Sequence, residues 1–355
     1  MCAPERRPPL SARAQRGLSI IELMVGIVVS LLVALAAAGS ATVFTASQRQ
    51  GMGSGGAMVN AGTALAALKN DASAAGLGFF GDSRYLCSRL NLSLGASMVT
   101  DGSAFAPVRI TTEAGGDRVD VVYATQVASG TNVLLAAATA GGSAALKSLL
   151  PAQLGDAVLL APPTPGDPCV VRSVTAITPS TPTSPQLLNF DGPGQHNQVL
   201  FTTPVTYAEK SRATLLGALR WSRYRLDGTN LLLERPLEGA SAVLARNVIG
   251  FRAEYGISAA AAGSTTLDSW QAASGAFAAV DATTLPRVRA LRIGLVTRSP
   301  QREKPNAAGQ CEASSAKPQL FGATVEPDVT DWQCYRYRPV ELVVPLRNLV
   351  WGVKA

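Results

Sequence analysis

Arg16-Gly17-Leu18-Ser19-Ile20-Ile21-Glu22-Leu23-Met24-Val25-Gly26-Ile27 is the stretch that decides the fold class. Arg6, Arg7, Arg13 and Arg16 lie before the apolar run against one acid, Glu5, and after Glu22 no charged side chain occurs until Arg49. Residues 23–44 are nearly all aliphatic or small, longer than the ~20 residues that carry a helix across a bilayer. A secretory signal has a shorter apolar region, ~7–15 residues, ending at a small-residue cleavage site, so this run reads as a transmembrane helix. The preceding basic residues place Met1 in the cytoplasm and the bulk of the chain on the far side.

Glu22 is out of place in such a run, because a carboxylate in lipid is costly and calls for a partner. Cutting the chain after Gly17 supplies one, since the new α-amine of Leu18 is a cation four residues from Glu22. The alternative is an acid at the headgroup edge that snorkels to water.

Of the 355 residues, 47% are hydrophobic and 15% charged, enough apolar material for one large or two small folded domains. The net charge is +7, but the basic residues beyond the leader are scattered, with no dense run and no aromatic interleaving. Nucleic acid is therefore only a secondary candidate partner. Five cysteines occur, Cys2, Cys87, Cys169, Cys311 and Cys334, and loss of the segment holding Cys2 leaves four, an even number that suits an oxidising compartment. No Cys-x-x-Cys spacing exists and His196 is the sole histidine, so no zinc pattern is visible; buried free thiols are the alternative to pairing. Four cysteines allow three pairings, and locality selects Cys87 with Cys169 and Cys311 with Cys334.

Met58, Leu65, Leu68 and Ala72 recur at helical spacing, so the helix is expected to continue past the membrane. Gly51, Gly53, Gly55 and Gly56 predict a weak or bent region within it, and Gly76 and Gly78 close it. Beyond Gly78 short runs rich in Val, Leu, Ile, Thr and Tyr predict strands at 108–111, 118–124, 132–137, 157–161, 170–177, 199–203, 219–226, 231–234, 250–255, 288–297 and 335–345. Asp227-Gly228-Thr229-Asn230 is a hairpin turn, and 178–185 and 258–284 read as surface insertions. The fold class is α+β: a leader at 1–17, a long N-terminal helix with a membrane half at 18–48 and an exported half at 49–76, then a large antiparallel β-rich domain at 77–355.

The opening motif resembles the class III signal of type IV prepilins and pseudopilins. That resemblance implies a membrane-embedded prepilin peptidase that cuts after Gly17 and methylates Leu18. It also implies that Glu22 neutralises the N-terminal amine of a neighbouring subunit during assembly. Leu18 departs from the phenylalanine commonest at that place. Ala64-Leu65-Ala66-Ala67-Leu68-Lys69-Asn70-Asp71 through Ala75-Gly76-Leu77-Gly78, Asn247-Val248-Ile249-Gly250-Phe251 and Val344-Pro345-Leu346-Arg347-Asn348 resemble the PilW branch of minor pilins, and similar features occur in J-type pseudopilins. The partners implied are the peptidase, other minor pilins and the major pilin, the inner-membrane assembly platform and membrane lipid. The implied location is the inner membrane, single-pass with a periplasmic C-terminal domain, and then the filament.

No catalytic constellation emerges. His196, in the turn-rich Asp191-Gly192-Pro193-Gly194-Gln195-His196-Asn197, reads as a solvated loop residue, and the glycines at 51–56 lack the Lys-Ser/Thr ending of a phosphate loop. Asp167, Asp191, Glu326, Asp328 and Asp331 are too dispersed for a calcium loop. Strand alternation accounts for Trp332, Tyr335, Arg336, Tyr337 and Arg338, with Tyr335 and Tyr337 on one face and the arginines on the other. The expectation is a non-enzymatic minor pilin without cofactor or metal. The rivals are a J-type pseudopilin, a filament-tip adhesin or DNA-binding module, and an enzyme on a membrane anchor.

Overall fold

The structure, a computed structural model, describes residues 19–81, 84–85, 87–126, 132–163, 166–259, 264–306 and 308–351. Helix α1 runs Ile20–Ala74, helical through the glycines at 51–56, and the chain divides into two units at Gly53/Ser54. In the first unit the apolar span Ile20–Ala41 exposes its side chains all round, as a lipid-facing helix does, and it is the one such span among the described residues.

The second unit carries the strands. In chain order they are β1 (Phe80–Gly81), β2 (Arg84–Tyr85), β3 (Arg89–Leu94), β4 (Ser97–Ala104), β5 (Val108–Glu113), β6 (Gly116–Ala124), β7 (Asn132–Leu134), β8 (Ser143–Leu146), β9 (Ala157–Ala161), β10 (Cys169–Ser173) and β11 (Ala176–Thr178). There follow β12 (Gln186–Asn189), β13 (Arg212–Gly217), β14 (Leu219–Asp227), β15 (Asn230–Arg235), β16 (Ala240–Arg246), β17 (Val248–Ile257), β18 (Ser269–Gln271), β19 (Val288–Arg298), β20 (Gln319–Leu320), β21 (Ala323–Thr324) and β22 (Tyr337–Pro345). Helix α2 (Arg347–Trp351) comes last.

Two antiparallel sheets seat the helix: β16-β15-β14-β6-β5 and β18-β17-β19-β22. A six-stranded sheet, β4-β3-β10-β9-β13-β7, and a small sheet, β11-β12-β8, are built mostly from an excursion. Strand β6 pairs directly with β14 in the register Leu219↔Ala124, so residues 125–218 leave and rejoin the chain at neighbouring points of one ladder. Among the described residues the only parallel pairing joins β3 to the excursion strand β10, Cys169 opposite Leu90.

Ala61, Ala64, Leu65, Leu68 and Ala72 are buried at i, i+3, i+4 spacing, and their small partners bring the helix close to Val119, Val121, Tyr224, Leu291 and Ile293 on the sheets. Met58, expected on this face, is 67% exposed, because the seat begins one turn later at Ala61. At the polar centre of the seat Asp71 accepts hydrogen bonds from the Tyr123 hydroxyl (2.8 Å) and the Tyr224 hydroxyl (2.6 Å). The helix end is fixed by Asn348, whose Nδ2 donates to the carbonyls of Ala74 and Ala75, and by the Gly76 N–H donating to Val122. Gly76 has φ 78, and a Cβ there would stand 2.6 Å from the Phe80 ring.

Several expected strands differ. Residues 199–203 form no strand: Asn91 bonds the Thr203 carbonyl, Asp101 takes the Thr202 N–H, and Arg172 stacks over Phe201, so side chains and not a ladder hold the segment. The 132–137 strand stops at Leu134, 170–177 splits into β10 and β11, and the last strand starts at Tyr337 after a 3₁₀ turn at Trp332–Cys334. Residues 178–185 are a surface connection as expected, whereas 258–284 sends Phe277 and Val280 into the core. Edge strand β22 is guarded: Leu346 N–H bonds β19 at Arg289, so Pro339 and Pro345, of opposite parity, sit where an N–H would face outward.

Loss of one phenol from a buried carboxylate is expected to cost roughly 1.5–3 kcal/mol, so Tyr224→Phe should lower the stability of the full chain in detergent by that amount. Leu68→Ala should cost roughly 2–5 kcal/mol. A Tyr224→Phe melt superimposing on the parent's would mean that apolar contacts alone seat the helix. Burial and Asp71 push the Tyr123 pKa up from 10.0 to about 12. This phenol therefore stabilises the fold fully below the unfolded value and loses that contribution as pH rises through 12. Tyr123→Phe should flatten the alkaline fall in stability, followed by thermal unfolding together with tyrosinate absorbance.

Candidate functional site

Gly17 and Leu18 lie outside the described residues, as do Cys2 and the rest of the leader. The structure begins at Ser19, where the helix start is closed by a reciprocal pair of hydrogen bonds. Ser19 N–H donates to Glu22 Oε2 (3.1 Å), and Ile21 N–H donates to Ser19 Oγ (3.3 Å). This is a capping box, Ser-x-x-Glu, which satisfies two of the N–H groups that a helix start leaves without partners. Glu22 thus has a local structural role, and the Ser19-x-x-Glu22 spacing that announces it lay in the sequence unused. Both side chains stay exposed, leaving the carboxylate open to a second partner.

The structure brings the four remaining cysteines together in two pairs. Cys87 and Cys169 are fully buried with Cα atoms 5.7 Å apart, beside the parallel β3·β10 pairing. Cys311 and Cys334 have Cα atoms 4.8 Å apart at the base of a surface segment. That segment is also tied by ion pairs, Arg298–Asp328 (2.6 Å), Arg302–Asp331 (2.6 Å), Lys317–Glu326 (2.7 Å) and Arg336–Glu303. Arg292, paired with Glu254, lies 4.2 Å from the Phe321 ring centre and 4.9 Å from that of Trp270, clamping the segment to β19. Of the aromatic and basic run, Tyr335 stacks under Arg298 and Arg336 pairs with Glu303 before the strand begins.

The acids considered for calcium are therefore engaged or apart: Glu326, Asp328 and Asp331 each face a different cation. Among the described residues no three His, Cys, Asp or Glu side chains gather.

His196 overturns its reading as a solvated loop residue. It is 3% exposed, its N–H donates to Ser173 Oγ, and Nδ1 lies 2.6 Å from the Ser93 carbonyl. A carbonyl oxygen only accepts, so Nδ1 carries the proton and Nε2 presents a bare lone pair. Burial lowers the His196 pKa despite the pull of Ser93, which keeps the ring neutral. His196 lines a cleft of about 330 Å³ at the mouth of the excursion, together with Gln126, Asp156, Gln195, Arg220 and Glu238.

A search of curated proteins finds no match. Among solved structures a type IV-like pilin from Thermus thermophilus is similar at 12% identity and a TM-score of 0.32, over 80% of this chain and 96% of that one. The sequence of residues 219–348, from the start of β14 through β22 into α2, matches the family model Type IV Pilus-assembly protein W, and this match links the chain to the type IV pilus.

Proposed function

We propose that the chain is a minor pilin of a type IV pilus, a structural subunit and not an enzyme, whose helix α1 is the element that assembles. One combination carries the reading: an apolar helix headed by a single acid stands on the same chain as a β-domain matched over residues 219–348 by the PilW model. Prepilin peptidase cuts between Gly17 and Leu18 and methylates Leu18. The subunit waits in the inner membrane with its β-domain in the periplasm, and enters the filament beside the major pilin and other minor pilins at the assembly platform. Glu22 meets the Leu18 amine of a neighbour on entry, since a charge in lipid is tolerated when it finds an opposite charge. In the oxidising compartment Cys87–Cys169 and Cys311–Cys334 are closed as disulfides.

Gly17→Leu is expected to leave uncleaved precursor in the membrane. Intact-mass measurement of the mature wild-type protein should show Leu18 as a methylated N-terminus, and retention of residues 1–17 would overturn the assignment. For Glu22 the charge and the cap can be separated. Glu22→Gln keeps an oxygen that accepts the Ser19 N–H but has no charge, whereas Glu22→Ala loses both. Equal loss of filament incorporation in the two variants, with cleavage intact, is the expected result. Normal incorporation of Glu22→Gln would reduce Glu22 to a helix cap. Non-reducing peptide mapping of exported protein should find the two linked pairs, and free thiols or a Cys87–Cys311 link would refute them.

A further inference from the structure

The hairpin tip between β11 and β12, Thr178-Pro179-Ser180-Thr181-Pro182-Thr183-Ser184-Pro185, takes no part in seating the helix. Five of its eight residues carry a hydroxyl, three are prolines and none is charged. All eight are exposed, the longest exposed run of the β-domain among the described residues.

Hydroxyls of Ser and Thr ordinarily turn back onto nearby backbone N–H groups. Here every hydroxyl residue adjoins a proline, and the prolines remove the N–H groups at 179, 182 and 185. The remaining backbone closes on itself: Thr181 and Ser184 exchange both N–H to carbonyl bonds (2.9 and 3.3 Å), and Ser184 N–H also donates to Thr181 Oγ1 (3.0 Å). Thr183 Oγ1 faces Thr181 Oγ1 at 3.4 Å. The hydroxyls of Thr178, Ser180 and Ser184 are left without a hydrogen bond among the described residues. The base of the tip is held, because Thr178 pairs with Leu187 of β12 and the Gln186 side-chain amide bonds both the N–H and the carbonyl of Leu150 (2.8 and 3.0 Å). Free hydroxyls thus stand on a fixed frame.

A groove of about 380 Å³ lies beside the tip, bordered by Ser180 and Ser184 and, from the chain around β8, by Ser148 and Leu149. Charge decides what those hydroxyls can carry. A phosphoryl group would bring about −1.5 to −2 charges and call for cations. The cation at this groove, Lys147, is already paired with Glu209 (2.8 Å). A glycosyl group is neutral and needs none: its hydroxyls stay in water while a C–H face covers Leu149, now 68% exposed. Uncharged chain rich in Ser and Thr and punctuated by proline is also the composition that carries O-linked sugars.

We propose that this tip is a site of O-glycosylation, with the Oγ atoms of Ser180 and Ser184 as acceptors. The serine oxygen attacks the anomeric carbon of a sugar carried on a polyprenyl diphosphate. A bond from Oγ to that carbon forms, and the bond from the carbon to the diphosphate oxygen breaks. The electron pair leaves on the polyprenyl diphosphate, the serine proton passes to a base of the transferase, and nothing is oxidised or reduced. The class of donor rests on the proposed export of the β-domain, because a membrane-linked sugar is one that an exported domain can meet. The glycan coats the tip of the excursion and leaves the helix seat untouched.

Trypsin releases the tip within one peptide, residues 173–210, from full-length protein isolated from the cells that make it. Electron-transfer fragmentation of that peptide is expected to place a glycosyl increment on Ser180, on Ser184 or on both. The double variant Ser180→Ala with Ser184→Ala should lose the increment completely while its thermal melt still shows the parent's fold. A bare peptide, a phosphoryl increment, a glycan confined to other hydroxyls of the peptide, or an increment that survives in the double variant overturns the proposal. The N-terminal peptide of the same digest reports the cut after Gly17 separately. A bare tip on cleaved protein therefore refutes the glycan alone, whereas a glycosylated tip on uncleaved protein refutes the leader assignment alone.

Discussion

The hydrogen bonds from the Tyr123 and Tyr224 hydroxyls to the Asp71 carboxylate are the constraint on which the rest of the β-domain depends. A buried carboxylate costs several kcal/mol unless its oxygens are satisfied, so α1 is accepted onto the sheets only in the rotation and register that put Asp71 between two phenols. Apolar contacts alone specify this less sharply. Ala61, Ala64, Leu65, Leu68 and Ala72 form a stripe that a slip of one helical turn would re-bury in part, whereas the same slip would strand the acid. The phenols stay protonated donors because the same burial raises their pKa values. The Asp71 seat therefore fixes the helix, and Asn348 and Gly76 fix where it ends.

Strand β14 distributes that constraint. Tyr224 faces the helix, while its neighbours Trp221, Arg223 and Arg225 point to the other face, where Trp221 and Arg223 donate to the buried Asp120 and Arg225 pairs with Glu234. One strand thus joins a polar contact at the helix to a charge ladder on the far side. The periphery uses weaker means: the segment around Cys311–Cys334 is tied by exposed ion pairs, each contributing ~0–1 kcal/mol, and by the stacked Arg292 and Arg298. Closing a loop of that size by a disulfide removes about 3 kcal/mol of unfolded-state entropy, more than any one of those pairs contributes. Cys87–Cys169 acts elsewhere, joining the chain before β3 to the excursion at the parallel pairing.

What the sequence made legible was local. An uninterrupted apolar run, the i, i+3, i+4 spacing from Leu65 to Ala72, the glycines at 76 and 78 and the turn at Asp227-Gly228 each declare their conformation within a few residues, and α1 and the β14–β15 hairpin appear where they point. Non-local partners were not legible. His196 looks like a loop residue from its glycine and proline neighbours, but the group that buries it is Ser93, far away in the chain. Strands β3, β4 and β16 escaped notice because Asn, Ser, Asp or Gly interrupts their apolar pattern, and pairing supplied by neighbouring strands outweighs that local preference. Val199 and Leu200 misled in the opposite way: β-favouring residues with no ladder available, Leu200 being 92% exposed.

The register Leu219↔Ala124 gives the domain its logic. A hairpin-like pairing of β6 with β14 completes the sheet that holds Asp71, so the helix seat needs nothing from residues 125–218 beyond their return to the ladder. Two consequences follow from the way the chain leaves and re-enters. The excursion has to be stable in its own core, which it is, around Val158, Leu160, Leu188 and Tyr207, and it has to be oriented against the seat, which Cys87–Cys169 and the β3·β10 pairing accomplish. The match to the pilus-assembly family begins at Leu219, where the excursion ends, and runs on through Tyr224 and Asn348, whose side chains hydrogen-bond to the helix. The helix-holding strands and the excursion are thus separable in the ladder itself, so a change within the excursion can leave untouched the contacts that hold the helix.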